Sequence, residues 1–331
     1  MTQRVQWQDT AKGLGIVLVA FGHVERGLVS AGILTAPVWE DVDFALYTFH
    51  MPLFMFLAGL NVPRSLRAGT VPFLRKKAGA LLVPYFAWTV IQSVVMATLG
   101  SMSNNPKTLE PLLYVLWEPV SPFWFLYVLF AFMVLVAVVP RRLLIGLAVI
   151  AFLAAEPFGV DSLPHQLLHF LLFFVAGIVV GGAERSLRLS PLVVLGSLAV
   201  WALGIGIALN AGFENYNSVL MLPVAVTGSI AVIAAAQITE RAVWLVRLGQ
   251  MSLAVYVMHV MAGAGTRILF DKILHVPHEP ALYLLVCTAA AVIGPVIAYL
   301  ILERLDLLYL VGLGPRKRPR PPSQGDAREP A

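Results

Sequence analysis

Apolar residues run along this chain in blocks of about 20, the length an α-helix needs to cross a bilayer. Ten blocks can be marked, roughly 10–30, 43–62, 79–99, 122–139, 142–156, 166–182, 191–209, 217–237, 248–270 and 281–303. Each predicts a spanning helix, because a backbone in lipid must satisfy its polar groups within the segment itself. The fifth is the shortest. Arg141 and Arg142 leave little room before Glu156 and Pro157, which predicts a tilted or partly re-entrant helix. The fold class expected is all-α: a polytopic integral membrane bundle of about ten helices over residues 1–314. Residues 315–331 are rich in Pro, Arg and small polar residues, have no apolar face, and predict a disordered basic tail.

Composition agrees. Of 331 residues, 59% are hydrophobic and only 12% charged, about half the charge of a soluble domain. A lone cysteine, Cys287 in the last block, excludes an intrachain disulfide or a multi-cysteine metal site. The N-terminus lacks the basic, short-apolar, small-residue order of a removable signal peptide, so the first span is expected to direct insertion.

The net charge of +5 follows membrane topology rather than nucleic-acid binding. Segments after spans two, four, six and eight hold Arg64, Arg67, Arg75, Lys76, Lys77, Arg141, Arg142, Arg185, Arg188, Arg241 and Arg247. The tail adds Arg316, Lys317, Arg318, Arg320 and Arg328. The opposite loops carry few cations (Arg26, Lys107, Arg267, Lys272) and several acids, among them Glu25, Asp43, Glu156 and Asp161. The positive-inside rule then predicts both termini in the cytoplasm, with the bundle in the plasma (inner) membrane.

Candidate chemistry begins in span one, Asp9-Thr-Ala-Lys12-Gly13 through an apolar run to Gly22-His23. Lys12 and His23 are close to three whole turns apart, so they share one face roughly 16 Å apart along the axis. Asp9 lies one turn before Lys12, where the two can pair. Ionisable groups inside a membrane are costly and point to function. An interfacial ion pair with a packed structural histidine fits the same residue types.

Span two opens Phe49-His50-Met51-Pro52-Leu53-Phe54. Its His50 is placed to face His23 from a neighbouring helix, and Pro52 frees a carbonyl as in helices lining cavities. The run Arg75-Lys76-Lys77 leading to Pro84-Tyr85 reads as a cytoplasmic loop able to hold a polyphosphate, although it is also an ordinary positive-inside signal. Trp117, Trp124 and Tyr127 suit a sugar-binding aromatic wall or an interfacial belt. Ser252, Tyr256 and His259 stand at i, i+4 and i+7 of span nine, one stripe of a helix. His165 and His169, without a nearby carboxylate, do not make a metal site. No internal repeat and no pair of interrupted spans stands out, which argues against a transporter of related halves.

Together these segments resemble the membrane acyltransferase 3 family, and most of all its fucose 4-O-acetyltransferase-like branch. The resemblance covers nearly the whole chain. It rests on Asp9, Lys12, Gly13, Gly22 and His23 and on Phe49 to Gly59. The basic run into Pro84-Tyr85, Trp124-Phe125-Leu126, Gly249 to His259 and Glu303-Arg304 support it. Lys12 departs from the Arg of many members, keeping the charge but losing the bidentate fork; Ala58 stands where Ser is common.

The resemblance implies transfer of an acyl group, usually acetyl, from cytoplasmic acyl-CoA to a hydroxyl of a glycan or similar acceptor. Acetyl-CoA is then a co-substrate, with no tightly bound cofactor and no metal. His23 becomes the general base, with an acyl-histidine as the alternative. Asp9 orients or neutralises Lys12, and Lys12, Arg75, Lys76 and Lys77 face the donor's phosphates. His50, Trp124, Tyr256 and His259 fall to the acceptor or the oxyanion. A secondary transporter and a non-catalytic scaffold remain the competing classes.

Overall fold

The computed structural model describes residues 5–99, 109–182 and 188–314. Among them are helices and turns and no strand. Fourteen α-helices follow in order: α1 (Gln6–Ser30), α2 (Val38–Tyr47), α3 (His50–Leu60), α4 (Val62–Leu66), α5 (Thr70–Leu99), α6 (Pro111–Tyr114), α7 (Trp124–Val138), α8 (Arg141–Ala154), α9 (Leu163–Gly182), α10 (Pro191–Asn210), α11 (Leu222–Ile238), α12 (Val243–Gln250), α13 (Ser252–Ile268) and α14 (Pro280–Arg304).

Helix stands at all ten expected spans, and among the described residues eight segments are long and apolar enough to cross a bilayer. The other two are α7, with 15 residues, and α8, with 14. At a rise of 1.5 Å per residue both fall short of a hydrocarbon core of about 30 Å.

Three expectations are corrected. Spans two and nine are interrupted rather than continuous. The first breaks at Thr48–Phe49, where Thr48 turns its hydroxyl back to the Phe44 carbonyl (2.8 Å). The second breaks at Met251. Contrary to expectation, Pro52 frees no carbonyl within a helix: it sits in the first turn of α3, where its missing N–H costs no helical bond. Helix α5 begins at Thr70, so Arg75, Lys76 and Lys77 are helical and not a loop. The 315–331 tail, Lys107 and Arg185 lie outside the described residues.

The fold is organised around α1, which packs against α2, α3, α11, α12, α13 and α14. Close approach there depends on absent side chains. A Cβ on Gly13 would stand 2.4 Å from the Leu245 carbonyl oxygen, and one on Gly249 only 1.7 Å from that of Asp9. Helices α3 and α9 meet the same way, through Gly59 and Gly177, whose Cβ atoms would meet the Phe174 and Phe56 carbonyl oxygens at 2.1 and 2.2 Å. Small residues at contact points are how membrane helices gain packing without a hydrophobic drive between them. By contrast, α10 and α14 keep only 17% of their apolar windows inside the protein and present the rest outward.

Among the described residues, two contacts join loops assigned to the same side. Arg188 pairs with Glu240 (2.9 Å), linking the segments after spans six and eight. Glu156 accepts from the Ser218 hydroxyl (2.9 Å) and the Val219 N–H (3.0 Å), linking those after spans five and seven. This is a multi-pass membrane protein.

Candidate active site

Two chambers lie along α1, one at each end of the Lys12–His23 face. The chamber at the start of α1 has a volume of about 310 Å³ and is lined by Lys12, Ile16, Phe54, Ala80, Gln250 and Tyr256, among others. Lys12 pairs with Asp9 at 3.6 Å, and Asp9 itself is 2% exposed. The Gln250 amide approaches the other Asp9 oxygen at 3.5 Å. The close contact of Gly13 and Gly249 therefore brings the acid–base pair of α1 against the last turn of α12. Lys77 packs its ammonium 5.7 Å from the Phe73 ring centroid and lies near enough to Lys12 for their charges to interact. Arg75 and Lys76 are exposed. Of the four cations assigned to the donor, only Lys12 lines the chamber.

The second chamber, about 260 Å³, is lined by His23, Arg26, Gln92, His259, Arg267 and Cys287, among others. The His23 ring lies 4.9 Å from that of His259, centroid to centroid. His259 Nδ1 sits 2.6 Å from the Tyr256 carbonyl and 3.1 Å from that of Val255. Carbonyls only accept, so Nδ1 carries the proton and Nε2 keeps its lone pair in the neutral ring. That Nε2 is buried without a partner. His23 makes no hydrogen bond among the described residues, so neither of its nitrogens is committed.

His50 donates from Nδ1 to the Leu46 carbonyl (2.8 Å) and lies 4.5 Å from the Tyr47 ring, which stands 6.3 Å from His23. It reaches the histidine pair through Tyr47 and lines neither chamber. Trp124 stacks on Phe170 (5.4 Å) and also lines neither.

Tyr256 separates the chambers. It lines the first, while its hydroxyl donates to the carbonyl of Pro122, which lines the second. Phe123 and Phe125 flank it, with centroids at 6.5 and 5.6 Å. An aromatic residue thus stands between the Lys12 and His23 chambers.

Four contributors were not singled out for chemistry from the sequence: Arg26, Asp43, Gln92 and Arg267. Arg26 and Asp43 form a bidentate pair (2.6 and 2.8 Å), with the guanidinium over the Tyr47 ring at 3.3 Å. Beside them, outside the spans, burial pushes the Tyr216 phenol above its ordinary pKa, so a neutral ring faces Arg26. The signal in the sequence was an arginine within one turn of His23; its partner comes from the next helix.

The chain matches the acyltransferase 3 family, described as an acyltransferase domain, over residues 5–300. Relatives include the nodulation protein NolL of Mesorhizobium japonicum, 33% identical over 133 residues, which are 39% of this chain and 34% of the relative. The NolL protein of Sinorhizobium fredii is 31% identical over 125 residues, 37% of this chain and 33% of the relative. The matched stretch thus spans about a third of the length of these curated relatives. No solved structure matches the chain.

Proposed function

Because the chain belongs to the acyltransferase 3 family, we propose that it is an integral membrane O-acyltransferase. It moves an acyl group, in the first instance acetyl, from acyl-CoA to a hydroxyl of a cell-envelope glycan or similar acceptor. With both termini in the cytoplasm of a plasma (inner) membrane, the Lys12 chamber faces the donor and the His23 chamber the acceptor.

The observation that carries this reading is the uncommitted His23 ring beside His259, whose Nδ1 proton is tied to backbone carbonyls. His23 takes the acceptor's hydroxyl proton as the oxygen attacks the thioester carbonyl. The carbon–sulfur bond then breaks, the proton that His23 took passes to the sulfur, and CoA leaves as the thiol toward the Lys12 side. His259, whose ring lies 4.9 Å from that of His23 and whose Nε2 has no partner among the described residues, is assigned to orient the base as the third member of a triad does. Lys12, with Asp9 beside it, offers the donor's phosphates a counter-charge.

His23→Ala in the purified full-length protein is expected to abolish transfer from radiolabelled acetyl-CoA while leaving membrane insertion and acetyl-CoA binding intact. Retained transfer removes His23 from the role. The two interrupted spans packed against α1 favour a second reading, a secondary transporter, since broken helices commonly line transport sites. Transport needs sealed vesicles and a gradient, whereas transfer proceeds in detergent with donor and acceptor alone.

A further inference from the structure

The second chamber carries an arginine that the reaction above does not use. Arg267 is 4% exposed, lines the chamber and makes no hydrogen bond or ion pair among the described residues. The acidic group whose charge reaches it is Asp271, in the π-helical turn Leu269–Ile273 that continues α13. Asp271 is already held by His278 (2.8 Å) and Lys272 (3.1 Å) and forms no ion pair with Arg267. A buried guanidinium without a counter-charge is costly, and such groups are ordinarily paired. Arg26, at the other wall, is committed to Asp43. Gln92 donates its amide to the Ser121 carbonyl (2.9 Å) and leaves Oε1 buried without a partner in the same chamber. The chamber therefore presents an unpaired guanidinium, an unpaired acceptor oxygen and the histidine pair, and no carboxylate among its lining residues.

We propose that the acceptor carries an oxyanion, a carboxylate or a phosphate ester, beside its reacting hydroxyl, and that Arg267 holds that anion while Gln92 accepts from a neighbouring hydroxyl. The proposal rests on reading the outer chamber as the acceptor site. The guanidinium fork matches both anions bidentately. The anion has two chemical sources: the carboxylate of an acidic sugar, or the phosphate that ties a sugar to a lipid carrier.

Binding, read without acetyl-CoA, tests this separately from transfer. The full-length protein in nanodiscs is titrated with methyl glucuronide, glucose 1-phosphate and a polyprenyl-phosphate glucose, with methyl glucoside as the neutral control. At least one anionic probe is expected to bind roughly ten- to a hundredfold tighter than the neutral one, the range for a charge-assisted bond. Arg267→Gln removes the difference, and Arg267→Lys, which keeps the charge without the fork, retains part of it. Binding of the lipid-linked probe alone identifies the carrier phosphate as the source, and binding of the glucuronide identifies the acidic sugar. Equal affinity for charged and neutral probes, a preference that survives Arg267→Gln, or no binding of any anionic probe at millimolar concentration overturns the proposal. Should Arg267→Gln fail to fold, Arg267→Lys and the parent's probe preference carry the decision. Failure of transfer with these binding results unchanged would count against the acyltransferase reading alone.

Discussion

Gly249→Ala is the sharpest test of how α1 is held. A single methyl at residue 249 would stand 1.7 Å from the Asp9 carbonyl oxygen, 2.6 Å from its carbon and 3.0 Å from the Gly13 nitrogen, against 3.4–4 Å for ordinary contact. All three neighbours are backbone atoms of α1, so no flexible side chain can yield. The helices must separate by about the distance they are too close, and the loss spreads along the interface of α1 with α12. Overpacking of this kind costs about 1–3 kcal/mol. The same separation pulls Gln250 from Asp9, whose contact is already 3.5 Å, and displaces the turn that carries Lys12. The control is Gly146→Ala on α8, where a Cβ meets nothing within 4 Å and helix propensity favours alanine by up to about 1 kcal/mol. Thermal unfolding in detergent and the KM for acetyl-CoA are measured on both variants. Gly249→Ala is expected to melt below the parent with a raised donor KM, and Gly146→Ala at or above the parent with KM unchanged. If Gly249→Ala melts with the parent and binds donor equally well, α1 and α12 do not meet through these glycines.

Other outcomes follow from the same geometry. Tyr256→Phe keeps the ring but leaves the Pro122 carbonyl without its donor, a loss of about 1–3 kcal/mol. With the partition loosened, acceptor-independent hydrolysis of acetyl-CoA should rise, and an unchanged hydrolysis rate would show that Tyr256 does not separate the chambers. His259→Ala should lower kcat by roughly 10²–10⁴, the range for a positioned acid–base group, while the donor KM stays constant. If His259 and His23 act as one unit, the double variant should be no slower than the worse single one. Additive losses would refute the pairing. Lys12→Met should weaken donor affinity roughly ten- to a hundredfold and also destabilise the fold, because the buried Asp9 loses its Lys12 counter-charge. Adding Asp9→Asn should restore stability but not donor affinity, and recovery of both would assign Lys12 a structural role only.

The membrane class, the helical content and the position of nearly every span were legible along the chain, because lipid imposes length and apolarity one segment at a time. The placement of Asp9, Lys12 and His23 on one face was equally local, a matter of helical periodicity. The one-helix stripe of Tyr256 and His259 was visible too, but not that it straddles a boundary, with Tyr256 closing one chamber and His259 opening into the other. That boundary depends on a carbonyl at Pro122, distant in sequence. Arg26 and Asp43 looked like unrelated outer-loop charges until α2 folded back on α1, and Arg267 became an unpaired cation only once Asp271 was seen bound to Lys272 and His278. Helix breaks at Thr48–Phe49 and Met251 fall inside segments that are apolar on average, and hydropathy does not register backbone geometry. What a residue is within its own helix follows from the sequence one turn at a time; whether a charge is paired, a histidine free or a slot closed depends on atoms brought from other helices, which only the packed bundle supplies.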